Sequence, residues 1–241
     1  MQSTLGEFRE TETGQAFTKQ NSKLLKVELN QITVQAKLGS MVAYQGDVRF
    51  EHAGSGGVSK FIKKAVTGEG TQLMKISGTG EVFLAHLAQD VHILKLENEA
   101  ITCNGANVLA FDAGIDWDIK RAEGMGSLMG GGGLYNMSLA GSGWVAIMSD
   151  GPPVLLSTGP ETPTFADPQA AITWSGNLQT TVKTDVNLKT FIGKGSGESI
   201  QIGFVGQGWV LVQPSEGQVV PTAQGGGQGG GGGGLLGNLG G

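Results

Sequence analysis

The chain has 241 residues, of which 43 are glycine, 15% are charged and 39% are hydrophobic. Average proteins hold about 7% glycine, and each glycine costs a helix interior roughly 1 kcal/mol relative to alanine, so the composition excludes a mainly helical protein. The absence of a Gly-X-Y period excludes collagen, and the regularly spaced apolar residues exclude a wholly disordered chain. A net charge of −5 argues against a dedicated nucleic-acid binder, so no nucleic-acid partner is expected.

The N-terminal residues 1–23 have no continuous apolar stretch and are too acidic for a typical transit peptide. No window approaches the roughly 18 apolar residues that span a bilayer. The single cysteine, Cys103, permits no intramolecular disulfide, which fits a reducing compartment. We therefore expect a cytoplasmic protein.

A glycine motif recurs three times along the chain. Its pattern is apolar-x-apolar-x-Gly-x-Gly-x-Val-x-apolar, and its copies occupy residues 74–84, 137–147 and 202–212. Alternation of apolar with small or polar residues predicts a strand with one buried face. The two glycines of each copy share a strand face, where they either leave a gap that a neighbouring unit fills or let the sheet curve. The six positions are Gly78, Gly80, Gly141, Gly143, Gly206 and Gly208.

A second motif, centred on an aromatic residue, precedes each glycine motif. Its copies occupy residues 42–48, 109–115 and 172–178, with Tyr44, Phe111 and Trp174 at the aromatic position. Two motifs in the same order at nearly the same period predict a repeat of about 65 residues. The predicted units are 20–88, 89–150 and 151–215, with a leading segment 1–19 and a glycine-rich tail 216–241.

The elements inside these units follow from turn and helix signals. In the first unit, Gly46 follows a polar residue between apolar runs and predicts a turn at 44–47, and residues 58–66 carry the spacing of a short amphipathic helix. The glycines at 130–133 hold the corresponding place in the second unit, and both stretches are predicted to be loops at one end of a sandwich. The second unit ends at the Gly-Pro-Pro of 151–153. In the third unit, residues 159–163 predict a loop and residues 174–177 a turn. Twelve glycines in the last seventeen residues predict a flexible tail.

The glycine motifs, the segment GGVSKFIKKAVTGEG at 56–70 and the final GFVGQGWVLVQP resemble the altered inheritance of mitochondria twenty-four family over about residues 20–213. Thr67-Gly68-Glu69-Gly70 matches the family pattern in the first unit, and Gly197-Glu198-Ser199 matches it partly in the third. The second unit departs from the pattern, with Leu128-Met129 and four glycines instead.

The resemblance implies an all-β fold of three tandem β-sandwich units, similar to the tryptophan RNA-binding attenuator protein and double-stranded β-helix-like. It also implies pseudo-threefold symmetry between the units and a scaffold or interaction role. A bacterial member of the family fits best, because the chain lacks a clear transit peptide.

The residues with reactive or metal-ligating side chains are weak candidates for a functional site. His86 and His92 flank Asp90, and two histidines with a carboxylate are metal ligands in principle, but ordinary surface histidines are the stronger interpretation. We therefore expect no metal and no cofactor. Cys103 has no nucleophile partner in its sequence surroundings and is expected to be a small core residue. Asp112, Asp116 and Asp118 fail the calcium-loop template, and the glycine-rich stretches fail the phosphate-loop template.

A surface candidate is the basic and apolar cluster Lys60, Phe61, Ile62, Lys63 and Lys64. It predicts contact with a partner or with an anionic membrane surface, unless Phe61 and Ile62 simply pack the loop. The sequence favours a non-enzymatic scaffold that self-associates or binds protein partners. The alternatives are a small-ligand-binding module using crevices between the three units, and a peripheral membrane binder through the cluster 60–64.

Overall fold

The computed structural model describes residues 4–52, 72–121, 135–184 and 200–215. Within these ranges the chain folds almost entirely into antiparallel β strands, with short 3₁₀ helices at Leu5–Phe8 and Gly105–Asn107. The predicted all-β fold is therefore confirmed. The loops predicted at 58–66 and 130–133 and the flexible tail predicted at 216–241 lie outside the described residues.

The described strands follow one another along the chain in three groups. The first group is β1 (Phe17–Asn21), β2 (Leu24–Asn30), β3 (Val34–Lys37), β4 (Met41–His52) and β5 (Leu73–Leu84). The second is β6 (Asp90–Asn104), β7 (Val108–Asp112), β8 (Asp116–Arg121) and β9 (Tyr135–Ser149). The third is β10 (Val154–Thr158), β11 (Thr164–Ala166), β12 (Ala171–Ser175), β13 (Gln179–Thr184), β14 (Ile200–Val205) and β15 (Gly208–Val212).

The strands form one large sheet and one small one. The large sheet has twelve strands in the order β1-β2-β5-β3-β7-β9-β6-β12-β15-β10, with β4 paired to β5 and β8 paired to β9. The small sheet has the order β11-β14-β13. The glycine motif lies on β5 and on β9, as its alternation predicts, and its third copy is divided between β14 and β15. The apolar positions before each glycine pair are buried: Met74, Ile76, Met137, Leu139, Ile202 and Phe204.

The glycine-motif strand is the middle strand in each group. β5 pairs with β4 on one edge and with β2 and β3 on the other, and β9 pairs with β6 on one edge and with β7 and β8 on the other. β15 lies between β10 and β12, and β14 lies between β11 and β13. Two further pairings, β3 with β7 and β6 with β12, cross the predicted unit boundaries. The boundaries themselves and the pseudo-threefold symmetry stay predictions.

The repeated glycines let a neighbouring strand approach closely. A Cβ on Gly80 would overlap the carbonyl oxygen of Gln45, and a Cβ on Gly143 would lie 2.8 Å from a carboxylate oxygen of Asp112. A Cβ on Gly208 would lie 2.8 Å from Oγ of Ser175. These neighbours belong to β4, β7 and β12, so at these three glycines the gap is filled by a strand of the same group. The alternative in which a neighbouring unit fills it is wrong there.

The turn predicted at 44–47 is also wrong. β4 continues through it, and Gln45, Gly46 and Asp47 stay paired with consecutive residues of β5. Gly46, with φ of +91°, lies opposite Gly80, so the two backbones come together where neither residue has a side chain. The corresponding turn at 174–177 is confirmed, because β12 ends at Ser175 and β13 begins at Gln179.

Candidate functional site

The first half of β4 is an exposed sheet edge. Met41, Val42 and Tyr44 are all exposed, and Tyr44 keeps 50% of its surface accessible. Among the described strands β4 pairs only with β5. The Tyr44 ring packs edge-on against Phe50 of the same strand at 5.4 Å between ring centroids. This edge therefore presents unpaired backbone together with apolar side chains.

The two strands that correspond to β4 are buried. Residues 108–111 of β7 and all residues of β12 lie in the core, where Phe111 is 0% and Trp174 is 3% exposed. The aromatic motif of the sequence thus has two buried members and one exposed member. The motif itself singled out Tyr44, but its exposure depends on which strand lies beside it, and no local sequence signal reports that.

A second open edge is formed by β10 and β11. In the described part of the chain β10 pairs only with β15, and β11 pairs only with β14. Val154 and Leu155 of β10 are exposed, and Phe165 of β11 keeps 47% of its surface accessible. The ammonium of Lys183 lies 5.2 Å from the centroid of the Phe165 ring. The structure therefore has open, partly apolar edges on its first and its last group of strands.

A pocket of about 330 Å³ lies where β6 meets β12 and β15. The residues that line it are Leu94, Lys95, Leu96, Glu99, Ala100, Ile101, Ser175, Asn177 and Trp209. The backbone N–H of Trp209 donates to Oγ of Ser175 at 3.0 Å, and Nδ2 of Asn177 donates to the carbonyl of Gln207 at 2.9 Å. The pocket spans the predicted boundary between the second and third units.

The hydrogen bond from the backbone N–H of Trp209 to Ser175 has an equivalent at β7. There the backbone N–H of Trp144, which follows Gly143, donates to Oδ2 of Asp112 at 2.7 Å. Burial raises the pKa of Asp112, and the bond from Trp144 opposes that shift. Asp112 and Ser175 therefore both fix the approach of a strand to the glycine motif.

A buried lysine under a group of carboxylates was not predicted from the sequence. The side chain of Lys26 on β2 has no accessible surface, and its Nζ lies 2.7 Å from Oε1 of Glu12 and 3.0 Å from Oε1 of Glu81. Glu10 and Glu28 approach the same ammonium at 3.7 Å. Burial lowers the pKa of Lys26, but the hydrogen bonds to Glu12 and Glu81 outweigh it and raise the pKa above its ordinary value.

The carboxylates around Lys26 are close enough together to hold a metal ion. One oxygen from each of Glu10, Glu12 and Glu81 lies within 4.8 Å of the others. The Lys26 ammonium already supplies their positive charge, so we interpret the cluster as a structural one. It fastens the segment before β1 to the face of β2 and β5.

Two of the metal candidates, Asp90 and His92, have other side-chain partners. Asp90 pairs with Lys23 at 2.9 Å, which lowers the pKa of its carboxyl, and Nε2 of His92 lies 2.8 Å from Oγ of Ser149. Burial lowers the pKa of both histidines, aided by Lys37 at His86 and by Lys19 at His92. These three residues are not among the side-chain groups that could jointly hold an ion in the described ranges.

Cys103 lies on β6 with no accessible surface, and burial raises the pKa of its thiol to about 12. Its Sγ lies 3.2 Å from Oγ1 of Thr173. A thiol that stays protonated at neutral pH is a poor nucleophile, which agrees with the expected core role. The cluster Lys60, Phe61, Ile62, Lys63 and Lys64 lies outside the described residues.

Comparison with known proteins identifies the family. A family model described as mitochondrial biogenesis AIM24 matches residues 16–215. The fold is similar to the crystal structure of the protein SPYM3_0169 from Streptococcus pyogenes, with 22% sequence identity, a TM-score of 0.66, and coverage of 83% of this chain and 92% of that one. This likeness is one of fold, and the organism is consistent with the expected bacterial member. No curated protein matches the chain.

The described residues include no helix with the length and hydropathy of a membrane span. The family match covers both open edges, the pocket and Lys26 with Glu28 and Glu81, while Glu10 and Glu12 lie before it. The chain belongs to the mitochondrial biogenesis AIM24 family.

Proposed function

We propose that the protein is a non-enzymatic scaffold that self-associates or binds protein partners through its open sheet edges. The observation that carries the proposal is the exposed apolar edge of β4, together with the edge of β10 and β11. An unpaired strand edge is a template for another strand, and soluble proteins usually blunt such edges with charges, prolines or bulges. Met41, Val42 and Tyr44 instead place apolar side chains there, without a charge or a proline, although the pairing of β4 is irregular between Met41 and Ala43.

The proposal assigns no catalytic step, cofactor or nucleic acid to the protein. Its support is the chemistry of the candidate residues: Cys103 is buried with a raised pKa, and His92 and Asp90 have structural partners. The expected setting is the cytoplasm, and the expected partners are proteins, including further copies of the chain.

Light scattering of the full chain over a wide concentration range tests this proposal. We expect a mass well above the 24.8 kDa of one chain. A strict monomer at high concentration would contradict self-association. The variant Tyr44→Phe keeps an aromatic ring at the edge and should therefore keep the wild-type mass.

The second candidate function is small-ligand binding in the pocket between β6, β12 and β15. It is favoured by the pocket volume of about 330 Å³ and by a lining that combines Trp209 with Lys95 and Glu99. Native mass spectrometry of protein from its own cells should then show an added mass. Ala100→Phe, which fills the pocket, should remove it, and Glu97→Ala on the same strand should not.

The third candidate function is peripheral membrane binding through the cluster 60–64. Three lysines near an anionic bilayer contribute roughly 1 kcal/mol each, so binding to anionic vesicles at low salt is the expected result. The absence of such binding would eliminate this candidate.

A further inference from the structure

Two strand pairings inside the chain place equivalent residues opposite each other. β3 pairs with β7 with Val34 opposite Asp112, and the end of β6 pairs with β12 with Ile101 opposite Ser175. Asp112 and Ser175 are the residues that accept the backbone N–H after the second motif glycine. We call these two pairings the internal junctions.

β11 holds the place that β3 and the end of β6 hold in the internal junctions. Val34 pairs with Ile76, two residues before Gly78, and Ile101 pairs with Leu139, two residues before Gly141. In the last group, Thr164 of β11 pairs with Phe204, two residues before Gly206. β11 is therefore equivalent to β3 and to the end of β6, because each pairs with the residue two positions before the first motif glycine. The other edge of β11, however, has no partner among the described strands.

β4 holds the place that β7 and β12 hold on the other side of the junctions. Phe111 of β7 lies opposite Val145, and Trp174 of β12 lies opposite Val210. Tyr44 of β4 lies opposite Val82, the corresponding valine of the first glycine motif. β4 is therefore equivalent to β7 and β12. Its free edge corresponds to the edge of β7 that pairs with β3 and to the edge of β12 that pairs with β6.

We propose that copies of this chain join head to tail, with β11 of one copy adding antiparallel to the first half of β4 in the next copy. The internal junctions fix the register: Thr164 opposite Gln45, Phe165 opposite Tyr44 and Ala166 opposite Ala43. The inference rests on the proposed self-association and names the two surfaces that carry it.

The partner at each edge is a second copy of the chain. The edge of β11 and the edge of β4 are equivalent to the two strands that pair at each internal junction, so they can pair with each other in the same way. The junction would join the small sheet of one copy to the large sheet of the next. It would also bring the half-exposed rings of Tyr44 and Phe165 together as a cross-strand pair. The two surfaces differ, so the contact is heterologous, and successive copies close into a ring or extend as a filament.

Disulfide trapping between two variants of the full chain tests the register. Directly opposed residues of antiparallel strands have Cα atoms about 4.5 to 5.5 Å apart, which a disulfide can bridge. Tyr44→Cys and Phe165→Cys are prepared separately, one of them with a tag that changes its mass, then mixed and mildly oxidised. The native Cys103 is buried and does not compete.

We expect a disulfide-linked pair that contains one chain of each variant and forms only in the mixture. Arg49→Cys in place of Tyr44→Cys is the matched control on the same strand and should give none, because it lies five residues out of register. The pair Gln45→Cys with Thr164→Cys tests the same register while both aromatic rings stay in place.

Four outcomes would overturn the inference. Absence of the mixed disulfide in both cysteine pairs, while light scattering still shows a multimer, would place self-association on another surface and leave the proposed function standing. Self-linked Tyr44→Cys or Phe165→Cys chains would indicate a symmetric contact. A disulfide within one chain that carries both Tyr44→Cys and Phe165→Cys would show that the edges close intramolecularly. A monomeric wild type would contradict both proposals.

Discussion

Gly78 and Gly141 occupy the same position in two copies of the glycine motif, yet their surroundings differ. Both have positive φ, at +127° and +122°. A Cβ on Gly78 would overlap the carbonyl oxygen of Asp47 and lie 3.2 Å from Cα of Val48, whereas a Cβ on Gly141 meets nothing within 4 Å. The backbone conformation is therefore common to both sites, and the close approach of a strand is specific to Gly78.

This difference predicts unequal costs of the same substitution. Gly141→Ala should lose about 1 to 3 kcal/mol of unfolding free energy, because alanine is strained at this φ. Gly78→Ala should lose roughly 2 kcal/mol more, because β4 must move away from β5. Urea unfolding measures both, with Gly114→Ala as a control that has open space and no left-handed backbone. Equal losses at the two sites would contradict the close-approach role.

Lys26 ties the N-terminal segment to the sheet. Its ammonium is the positive charge among Glu10, Glu12, Glu28 and Glu81, and Glu10 also accepts a hydrogen bond from Nε2 of Gln45 at 3.1 Å. Without the ammonium, carboxylates from the segment and from the sheet would repel one another. The folded pKa of Lys26 is raised above its unfolded value, so its stabilisation is fully present below pH 10.5 and declines only as the pH rises beyond.

Lys26→Met should therefore lower the unfolding free energy by about 2 kcal/mol, at the low end for a buried charge because the partner carboxylates are partly exposed. The loss of unfolding free energy should be the same at about pH 6 and about pH 9, because both values lie below pH 10.5. Trypsin should cleave the variant faster after Arg9, because the N-terminal segment is no longer held to the sheet. Lys23→Met is the matched control, since Lys23 pairs with Asp90 at the surface and should cost less than about 1 kcal/mol. A variant as stable as wild type would show that the cluster is not structural.

At the scale of the element, the sequence predicts the strands whose pattern is local. The alternation around Gly78, Gly141 and Gly206 locates β5, β9 and β14 because each buries the apolar face of its own repeat. The predicted turn at 44–47 fails because pairing with β5 holds β4 together, and Gly46 opposite Gly80 accommodates the bend inside the strand.

The candidate site depends on non-local contacts and could be predicted only in part. The aromatic motif identifies Tyr44, Phe111 and Trp174 as equivalent, but the neighbour of each strand decides which of them is exposed. Lys26 stands in the ordinary strand sequence Leu-Leu-Lys-Val-Glu. Its hydrogen-bond partners, Glu12 and Glu81, come from the segment before β1 and from β5, so no spacing along the chain reveals the cluster.

The contrast between β4 and β7 predicts opposite effects of removing an aromatic ring. Phe111→Ala should lower the unfolding free energy by about 3 to 5 kcal/mol, because the fully buried ring leaves a cavity. Tyr44→Ala should cost a dissociated chain less than about 1 kcal/mol, because half of its surface is already in water. Thermal unfolding at low protein concentration measures both, and a large loss for Tyr44→Ala would mean that β4 is an internal strand in solution.

At the scale of the whole molecule, the two open edges differ. A chain with its β4 edge blocked keeps an intact β11 edge, and a chain with its β11 edge blocked keeps an intact β4 edge. Symmetric self-association has no such division, since one blocked surface then disables every contact of that chain. Complementation between two blocked variants therefore separates head-to-tail joining from a symmetric contact.

The blocked variants are Tyr44→Glu and Phe165→Glu, because a charge on a strand edge opposes pairing with another strand. Each alone should be a monomer with unchanged strand content by circular dichroism, since both side chains are about half exposed. An equimolar mixture should form a species of two chains, with a mass of about twice 24.8 kDa, and no larger species, because its outer edges both carry glutamate. Light scattering and native mass spectrometry measure this, with Tyr44→Phe as the control that assembles like the wild type. A mixture that stays monomeric where the wild type assembles would rule out the β11–β4 contact.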